Sequence, residues 1–266
     1  MDTIEVKRSE TGEVVTIELA RPEKKNAMNP QMHEEMHLTL SGLAADINAK
    51  VLVITGQGDA FCAGMDLKEY FMDRATDPDE MSRVRQLSQD WRARLLPSLP
   101  CVTIAKVNGY CFGGAFPIVV GCDLAISSDD AMFGLSEINF GQIPAGPVAA
   151  MLGRVVNDRD AMWHILTGEP FDGTRAAEMK LVNRSVPTDQ LNAEVDQLVG
   201  VLMSKERNAL RLAKKLYLNS KTMELSAALG YANATVAELT QASQGHWLEH
   251  GVADFLNKKS KPGKAE

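Results

Sequence analysis

The stretch Asn108–Gly146, NGYCFGGAFPIVVGCDLAISSDDAMFGLSEINFGQIPAG, decides how the rest of the chain is read. It combines a glycine pair (Gly113, Gly114), a helix start, an apolar strand and one carboxylate, Glu137. The glycine pair ends one apolar strand-like run and opens another apolar segment. Without a Cβ, glycine lets a backbone N–H come close to a ligand, and a helix N-terminus favours negative charge. A second place of this kind stands upstream in AFCAGMDLKEY (Ala60–Tyr70), where Gly64 precedes Met65 at another predicted strand-to-helix turn. Two separate backbone donors and one carboxylate describe an oxyanion site served by a general acid/base.

Working outward, the 266 residues, 45% hydrophobic and 24% charged, suit one substantial globular domain or one domain with a smaller appendage. A net charge of −7 disfavours a general nucleic-acid or anionic-membrane surface. Asp123 interrupts the longest apolar run, so no segment reaches the length of a membrane-spanning helix. The N-terminal MDTIEVKRSETGE lacks the apolar centre of a signal peptide, and the expected compartment is the cytoplasm. Cys62, Cys101, Cys111 and Cys122 lie in apolar settings without CxxC spacing and read as small core residues.

Val14–Leu19 alternates as an early strand, and Asn29 followed by Pro30 predicts a capped helix with Met32, Met36, Leu40, Leu43 and Ile47 as its apolar stripe. That helix carries His33-Glu34-Glu35-Met36-His37, a match to the HExxH zinc motif. No suitably spaced third histidine follows, so the reading adopted is a solvated helix face. Val51–Thr55 and Cys101–Ala105 are continuous apolar runs, as expected of strands covered on both faces. Gly56-Gln57-Gly58 lacks the remaining glycine of a dinucleotide loop. Helices are predicted from Asp66 to Met72 and from Met81 to Leu96, separated by a polar loop at Thr76–Glu80, and Pro97–Pro100 reads as a turn. Further strands follow at Asp123–Ser127 and Ala131–Gly134. Short strands alternating with helices favour an α/β fold with parallel strands. From Asp158 onward the pattern is almost wholly helical, with one short strand in Leu181–Val186. Lys205, Arg207, Arg211, Lys214 and Lys215 form a basic stripe, read as a solvated face with RNA or a phosphate-bearing ligand as the alternative. The terminal KKSKPGKAE is expected to fray.

RPEKKNAM, TGQGDAFCAGMDLKE, VNGYCFGGAF and FGLSEINFGQIPAG, in this order and spacing, resemble the crotonase (enoyl-CoA hydratase/isomerase) superfamily over nearly the whole chain. The resemblance implies an α/β fold, a crotonase-like spiral of ββα units (1–200) with a C-terminal helical trimerisation region (201–266). It also implies an acyl-CoA substrate, no redox cofactor or metal, and a homotrimer or dimer of trimers. By the same resemblance, Met65 and Gly114 supply the two oxyanion-hole amides. Lys24, Ala27, Ala63, Asp66 and Leu67 fall where the family contacts coenzyme A, and Phe255 and Lys258 match a C-terminal CoA-contacting pattern. Glu137 matches the second of the two glutamates of ordinary enoyl-CoA hydratases, while Pro117 occupies the position of the first.

Within the superfamily, AGMDLKEY, NGYCFGG and CDLAI…FGLSEIN resemble the hydroxycinnamoyl-CoA hydratase-lyases, which convert feruloyl-CoA to vanillin. That branch also keeps only the later glutamate, and Tyr70 falls where it places a tyrosine that binds the substrate's phenol oxygen. Two positions depart from it. The branch has serine where Pro117 stands, and its second, helix-borne tyrosine aligns with Asn233, with Tyr231 two residues earlier. Two residues turn a helix by about 200°, so Tyr231 does not substitute for it on a regular helix. Asn233 retains an amide able to hydrogen-bond a phenol. Three classes follow: an aromatic hydratase-lyase, another enoyl-CoA hydratase or Δ3,Δ2-isomerase working with a single glutamate, and a non-catalytic CoA- or RNA-binding member.

Overall fold

The computed structural model describes residues 1–73, 75–245 and 252–257. By contact density the chain divides into two compact units, residues 1–196 and 197–266.

The first unit begins with an antiparallel pair, β1 (Ile4–Arg8) and β2 (Val14–Leu19), of which β1 has no counterpart in the sequence reading. In β2 every second residue is buried, the period expected of a strand with one face on the core. Helix α1 (Pro30–Ala45) starts where its cap predicts: the Asn29 side-chain oxygen accepts from the Met32 N–H at 2.9 Å. Met32, Met36, Leu40 and Leu43 are buried as expected. Ile47, assigned to the same stripe, lies beyond the helix end and is 84% exposed.

A repeated three-part unit follows. β3 (Val51–Gly56) and β4 (Ala60–Cys62) lead into a π-helical turn (Leu67–Met72) and α2 (Pro78–Asp90). A second π-helical turn (Trp91–Leu95) and α3 (Leu96–Ser98) complete this helical layer. β5 (Val102–Val107) and β6 (Tyr110–Phe112) lead into α4 (Phe116–Gly121). β7 (Leu124–Ser128) and β8 (Met132–Gly134) lead into α5 (Val148–Leu152) and α6 (Asp158–Thr167). β9 (Phe171–Asp172), α7 (Gly173–Glu178) and β10 (Arg184–Val186) close the series.

Successive strands of each pair go to different sheets. The six-stranded sheet has the order β1-β2-β3-β5-β7-β10 and the four-stranded sheet the order β4-β6-β8-β9. From β2 through β10 the larger sheet is parallel. The chain therefore advances one strand in each sheet per turn, as a spiral of ββα units. All six residues of β3 are buried, which explains its unbroken apolar character.

The corners between the sheets stack closely. A Cβ on Gly109 would collide with the Asp59 carbonyl oxygen, so this corner requires glycine. Asn108 staples neighbouring turns: its Nδ2 donates to the Gly56 and Gly58 carbonyls, both at 3.0 Å. Asn26 makes a similar staple to the carbonyls of Gln57 and Ala60. Behind the smaller sheet, Phe133 and Phe171 stack at 5.5 Å, with Phe116 edge-on to both. The four cysteines are buried in the core and form no disulfide among the described residues.

Three expectations need correction. The polar segment at Thr76–Glu80 is not a loop throughout, because Asp77 caps α2 and Pro78 opens it. Pro97 lies within α3, where a proline is tolerated in the first turn. His33 is not on a solvated face. It is fully buried, and its Nδ1 accepts a hydrogen bond from Trp91 Nε1 at 3.0 Å. His37 instead bonds Asp90, so the HExxH pair is divided between two structural tasks.

The second unit takes in the end of α8 (Leu191–Met203), α9 (Arg207–Ser220), α10 (Leu225–Ala242) and α11 (Ala253–Leu256). Arg211 and Lys215 on α9 both pair with Glu238 on α10. Leu225, Leu229 and Val236 leave an exposed apolar stripe on α10. The tail KKSKPGKAE lies outside the described residues, as do residues 246–251 ahead of α11. Among the described residues no helix is long and apolar enough to cross a membrane.

Candidate active site

The site grows from two left-handed glycines. Gly64 has φ +93° and Gly113 has φ +47°, conformations in which a side chain is strained. At Gly64 the backbone leaves β4. Met65 forms a parallel bridge with Met28, in which Met28 N–H donates to Gly64 O and Asp66 N–H donates to Met28 O. A parallel bridge of this pattern uses the residues on either side of Met65 and directs the Met65 N–H the other way. At Gly113 the chain leaves β6 and enters a short 3-10 turn, Gly113–Ala115, that feeds α4. Gly114 N–H is thus one of the first-turn amides that a helix leaves without an internal acceptor. Among the described residues neither the Met65 nor the Gly114 N–H donates a hydrogen bond.

These two amides adjoin one another. The position a Cβ would take on Gly64 is 3.4 Å from Gly114 N, and that on Gly114 is 3.1 Å from Met65 Cε. Glu137 enters from a 3-10 turn, Ser136–Phe140, just after β8. A Cβ on Gly113 would lie 2.6 Å from Glu137 Oε1, so the absent side chain is what makes room for the carboxylate. Glu137 Oε2 is buried and without a hydrogen-bond partner. Burial raises the Glu137 carboxyl above the ordinary glutamate value, because the charged form loses water and a hydrogen bond from its own backbone N–H offsets this only in part. A carboxylate held this way is a stronger base than a solvated one.

Tyr70 lies on the π-helical turn Leu67–Met72, its ring buried edge-on against His33 at 5.5 Å. Among the described residues its hydroxyl makes no hydrogen bond. Pro117 is buried in the first turn of α4 and offers neither a proton nor an N–H.

The sequence-assigned coenzyme A positions in this unit come together. Ala63 N–H donates to Lys25 O at 2.9 Å, which lays the segment bearing Lys24 and Ala27 alongside Ala63–Leu67. Lys24 and Leu67 are exposed. The Asp66 carboxylate is already committed, accepting from the Lys68 and Glu69 N–H groups and pairing with Arg21 at 3.1 Å. Its main chain is engaged as well, the N–H donating to Met28 O and the carbonyl accepting from Tyr70 N–H, both at 2.9 Å. Arg21, which the sequence reading passed over, is the buried hub of this ridge and also donates to Ala27 O and Glu69. In the second unit Asn233 is exposed on α10, while the Tyr231 hydroxyl accepts from Asn219 Nδ2 at 2.9 Å. Phe255 is exposed on α11, and Lys258 lies outside the described residues.

A buried arginine was also missed. Arg92, which the sequence analysis did not single out, is 2% exposed and reaches Gly114 O. The hint in the sequence was its place beside Trp91 in an otherwise apolar helix end.

A doubly strand-supplied pair of free amides facing one basic carboxylate defines a class, and the comparisons identify it. The chain matches the enoyl-CoA hydratase/isomerase family model over residues 9–263 and belongs to that family, within the crotonase superfamily. Its fold is that of solved enoyl-CoA hydratases. One from Mycobacterium smegmatis superposes with TM-score 0.89 at 29% identity, covering 97% of both chains. One from Bacillus anthracis gives 0.86 at 28% identity, covering 96% of both. Among particular proteins, a hydroxycinnamoyl-CoA hydratase-lyase from Pseudomonas fluorescens is 43% identical over 92% of this chain and 90% of its own.

Proposed function

We propose that this protein is a hydroxycinnamoyl-CoA hydratase-lyase, acting on a substrate such as feruloyl-CoA. The observation that carries the reading is Glu137, a partly buried carboxylate with one unpartnered oxygen beside the free Met65 and Gly114 amides. The 43% identical relative supports the aromatic substrate.

In the proposed reaction Glu137 takes a proton from water as the oxygen adds at Cβ of the enoyl thioester. Negative charge moves onto the thioester oxygen, where the two N–H groups receive it. One such donor is worth about 3–4 kcal/mol of transition-state stabilisation. Glu137 then returns the proton to Cα. In the second half it removes the β-hydroxyl proton, the Cα–Cβ bond breaks, and the electron pair enters an acetyl-CoA enolate held by the same amides. Protonation at Cα completes acetyl-CoA, and the other fragment leaves as the aromatic aldehyde. Tyr70 receives the substrate's phenol oxygen, whose ionisation assists through a quinone-methide-like intermediate. Pro117 lines the acyl group, and Asn233 is assigned to the substrate through its amide. Lys24, Ala27, Ala63, Asp66, Leu67, Phe255 and Lys258 bind coenzyme A. No cofactor is required beyond the thioester.

Pro117 supports a second reading, another enoyl-CoA hydratase or an isomerase, since one carboxylate suffices to shuttle a proton. RNA binding is less favoured, because Arg211 and Lys215 of the basic stripe are already paired with Glu238. The exposed stripe on α10 supports self-association as a trimer or paired trimers, in the cytoplasm.

Incubation with feruloyl-CoA and crotonyl-CoA separately, with products followed by mass, tests the proposal. Vanillin and acetyl-CoA from the first are expected. Hydration of crotonyl-CoA alone would replace the lyase with an aliphatic hydratase.

A further inference from the structure

Arg92 stands at the N-terminal end of the second π-helical turn with its guanidinium wholly inside the first unit. Every donor group it uses goes to a neutral partner. Nε donates to Ser88 O at 2.9 Å, Nη2 to Ser88 Oγ at 2.6 Å, and Nη1 to Gly114 O at 2.6 Å. Among the described residues no carboxylate pairs with it. The titratable groups that bear on its charge are the Tyr70 phenol and the Cys62 thiol, with the His33 imidazole also nearby. The thiol is pushed up to about 12 and the imidazole well down, each by burial, and none of the three is a carboxylate. Arg92 itself is drawn down to about 10 by burial and stays protonated.

A buried cation without a counter-ion is costly, and a structural pin to Gly114 O needs no net charge. The position of this cation is informative. Nη1 lies 3.4 Å from where a Gly114 Cβ would be, the same point that is 3.1 Å from Met65 Cε. The charge therefore sits against Gly114, whose amide is one of the two assigned to the thioester oxygen, and on the same side as the Met65 side chain. That oxygen is neutral in the bound substrate and anionic in the enolate, so an anion that balances Arg92 exists only during reaction. Interactions that strengthen only then are the ones that accelerate a reaction.

We propose that Arg92 is a positioning residue of the oxyanion hole, fixing Gly114 through its carbonyl and holding a buried positive charge behind the developing enolate. The inference rests on the assignment of Met65 and Gly114 as the oxyanion donors. Ser88 is the anchor that aims the guanidinium, gripping it through both its hydroxyl and its carbonyl.

The test reads the carbonyl stretch of acetyl-CoA labelled with carbon-13 at the thioester carbon, bound to the whole protein, by difference infrared spectroscopy. In the wild type the stretch is expected to shift to lower frequency on binding. Arg92→Lys, which keeps the charge, is expected to retain most of that shift, and Arg92→Gln to lose most of it with acetyl-CoA affinity little changed. On a thioester that the wild type turns over, Arg92→Gln lowers kcat roughly 10- to 100-fold, less than deleting a direct donor, while KM stays nearly constant. Equal shifts in wild type and Arg92→Gln would overturn the role of Arg92 and leave the oxyanion assignment standing. Absence of a shift in the wild type would instead overturn the assignment of Met65 and Gly114. Should Arg92→Gln not fold, Ser88→Ala is read in the same way: a reduced shift supports the proposal and an unchanged one rejects it.

Discussion

At the scale of single residues, Glu137 shows how a catalytic group is made at the expense of stability. Its carboxyl is raised because burial disfavours the charged form. In the unfolded chain it titrates as an ordinary glutamate, and in the folded chain above that value. Below the unfolded value both states carry the proton and burial of the charge costs nothing. As pH rises past the folded value, the ionised carboxylate destabilises the native state relative to the unfolded one. Glu137→Gln should therefore raise Tm at pH 7 and leave it unchanged near pH 4, as measured by thermal melts across that range. The same variant should reduce turnover about 10²- to 10⁴-fold, the usual worth of a general acid/base. The acid limb of the wild-type rate profile should lie above 4.5. A variant that melts at the same temperature at both pH values would remove the assigned burial as the cause.

At the scale of elements, the loops and helix starts are held by side chains with two jobs. Asn29 caps α1 through its oxygen and donates through Nδ2 to Glu69 Oε2 at 2.8 Å. Glu69 neighbours Tyr70 on the first π-helical turn, so the cap ties α1 to the element that carries the substrate tyrosine. Asn29→Ala is expected to cost about 1 kcal/mol or more in denaturant unfolding, the ordinary loss of a cap. Asn29→Asp keeps a capping oxygen but places a carboxylate against Glu69. It should preserve more of the helix cap while weakening substrate binding, seen as a raised KM with stability closer to wild type. Both π-helical turns border the site, one bearing Tyr70 and the other Arg92, in keeping with the tendency of π-turns to occur at functional positions.

At the scale of the whole molecule, the spiral depends on corners that stack in register. Asn108 accepts from Thr55 Oγ1 and the Gly56 N–H while donating to the Gly56 and Gly58 carbonyls, so one side chain closes the polar groups of two successive turns. Asn108→Ala leaves these groups without partners, at a cost of roughly 1–3 kcal/mol. The expected result in urea is a lower midpoint with an unchanged slope, because the same surface is still buried. An unchanged midpoint would mean that water replaces the staple.

The alternation of short apolar strands with helices, the two glycine turns, the Asn29 cap and the carboxylate that ends FGLSE were legible in the linear chain. Each is encoded locally: periodicity marks a face, glycine marks a left-handed turn, and a short polar side chain marks a helix start. The sequence by itself thus determined the α/β class and the residues around which a site forms, while the spiral entered through the family resemblance. Tertiary structure alone decided which polar side chains go inside. His33 read as a surface group, and Arg21 and Arg92 drew no notice, because polar and charged side chains are by default solvated. Their burial became affordable when distant segments brought Trp91 Nε1, the Asp66 carboxylate and the Gly114 carbonyl to meet them. Partners of that kind are separated by tens of residues, and no local pattern records them.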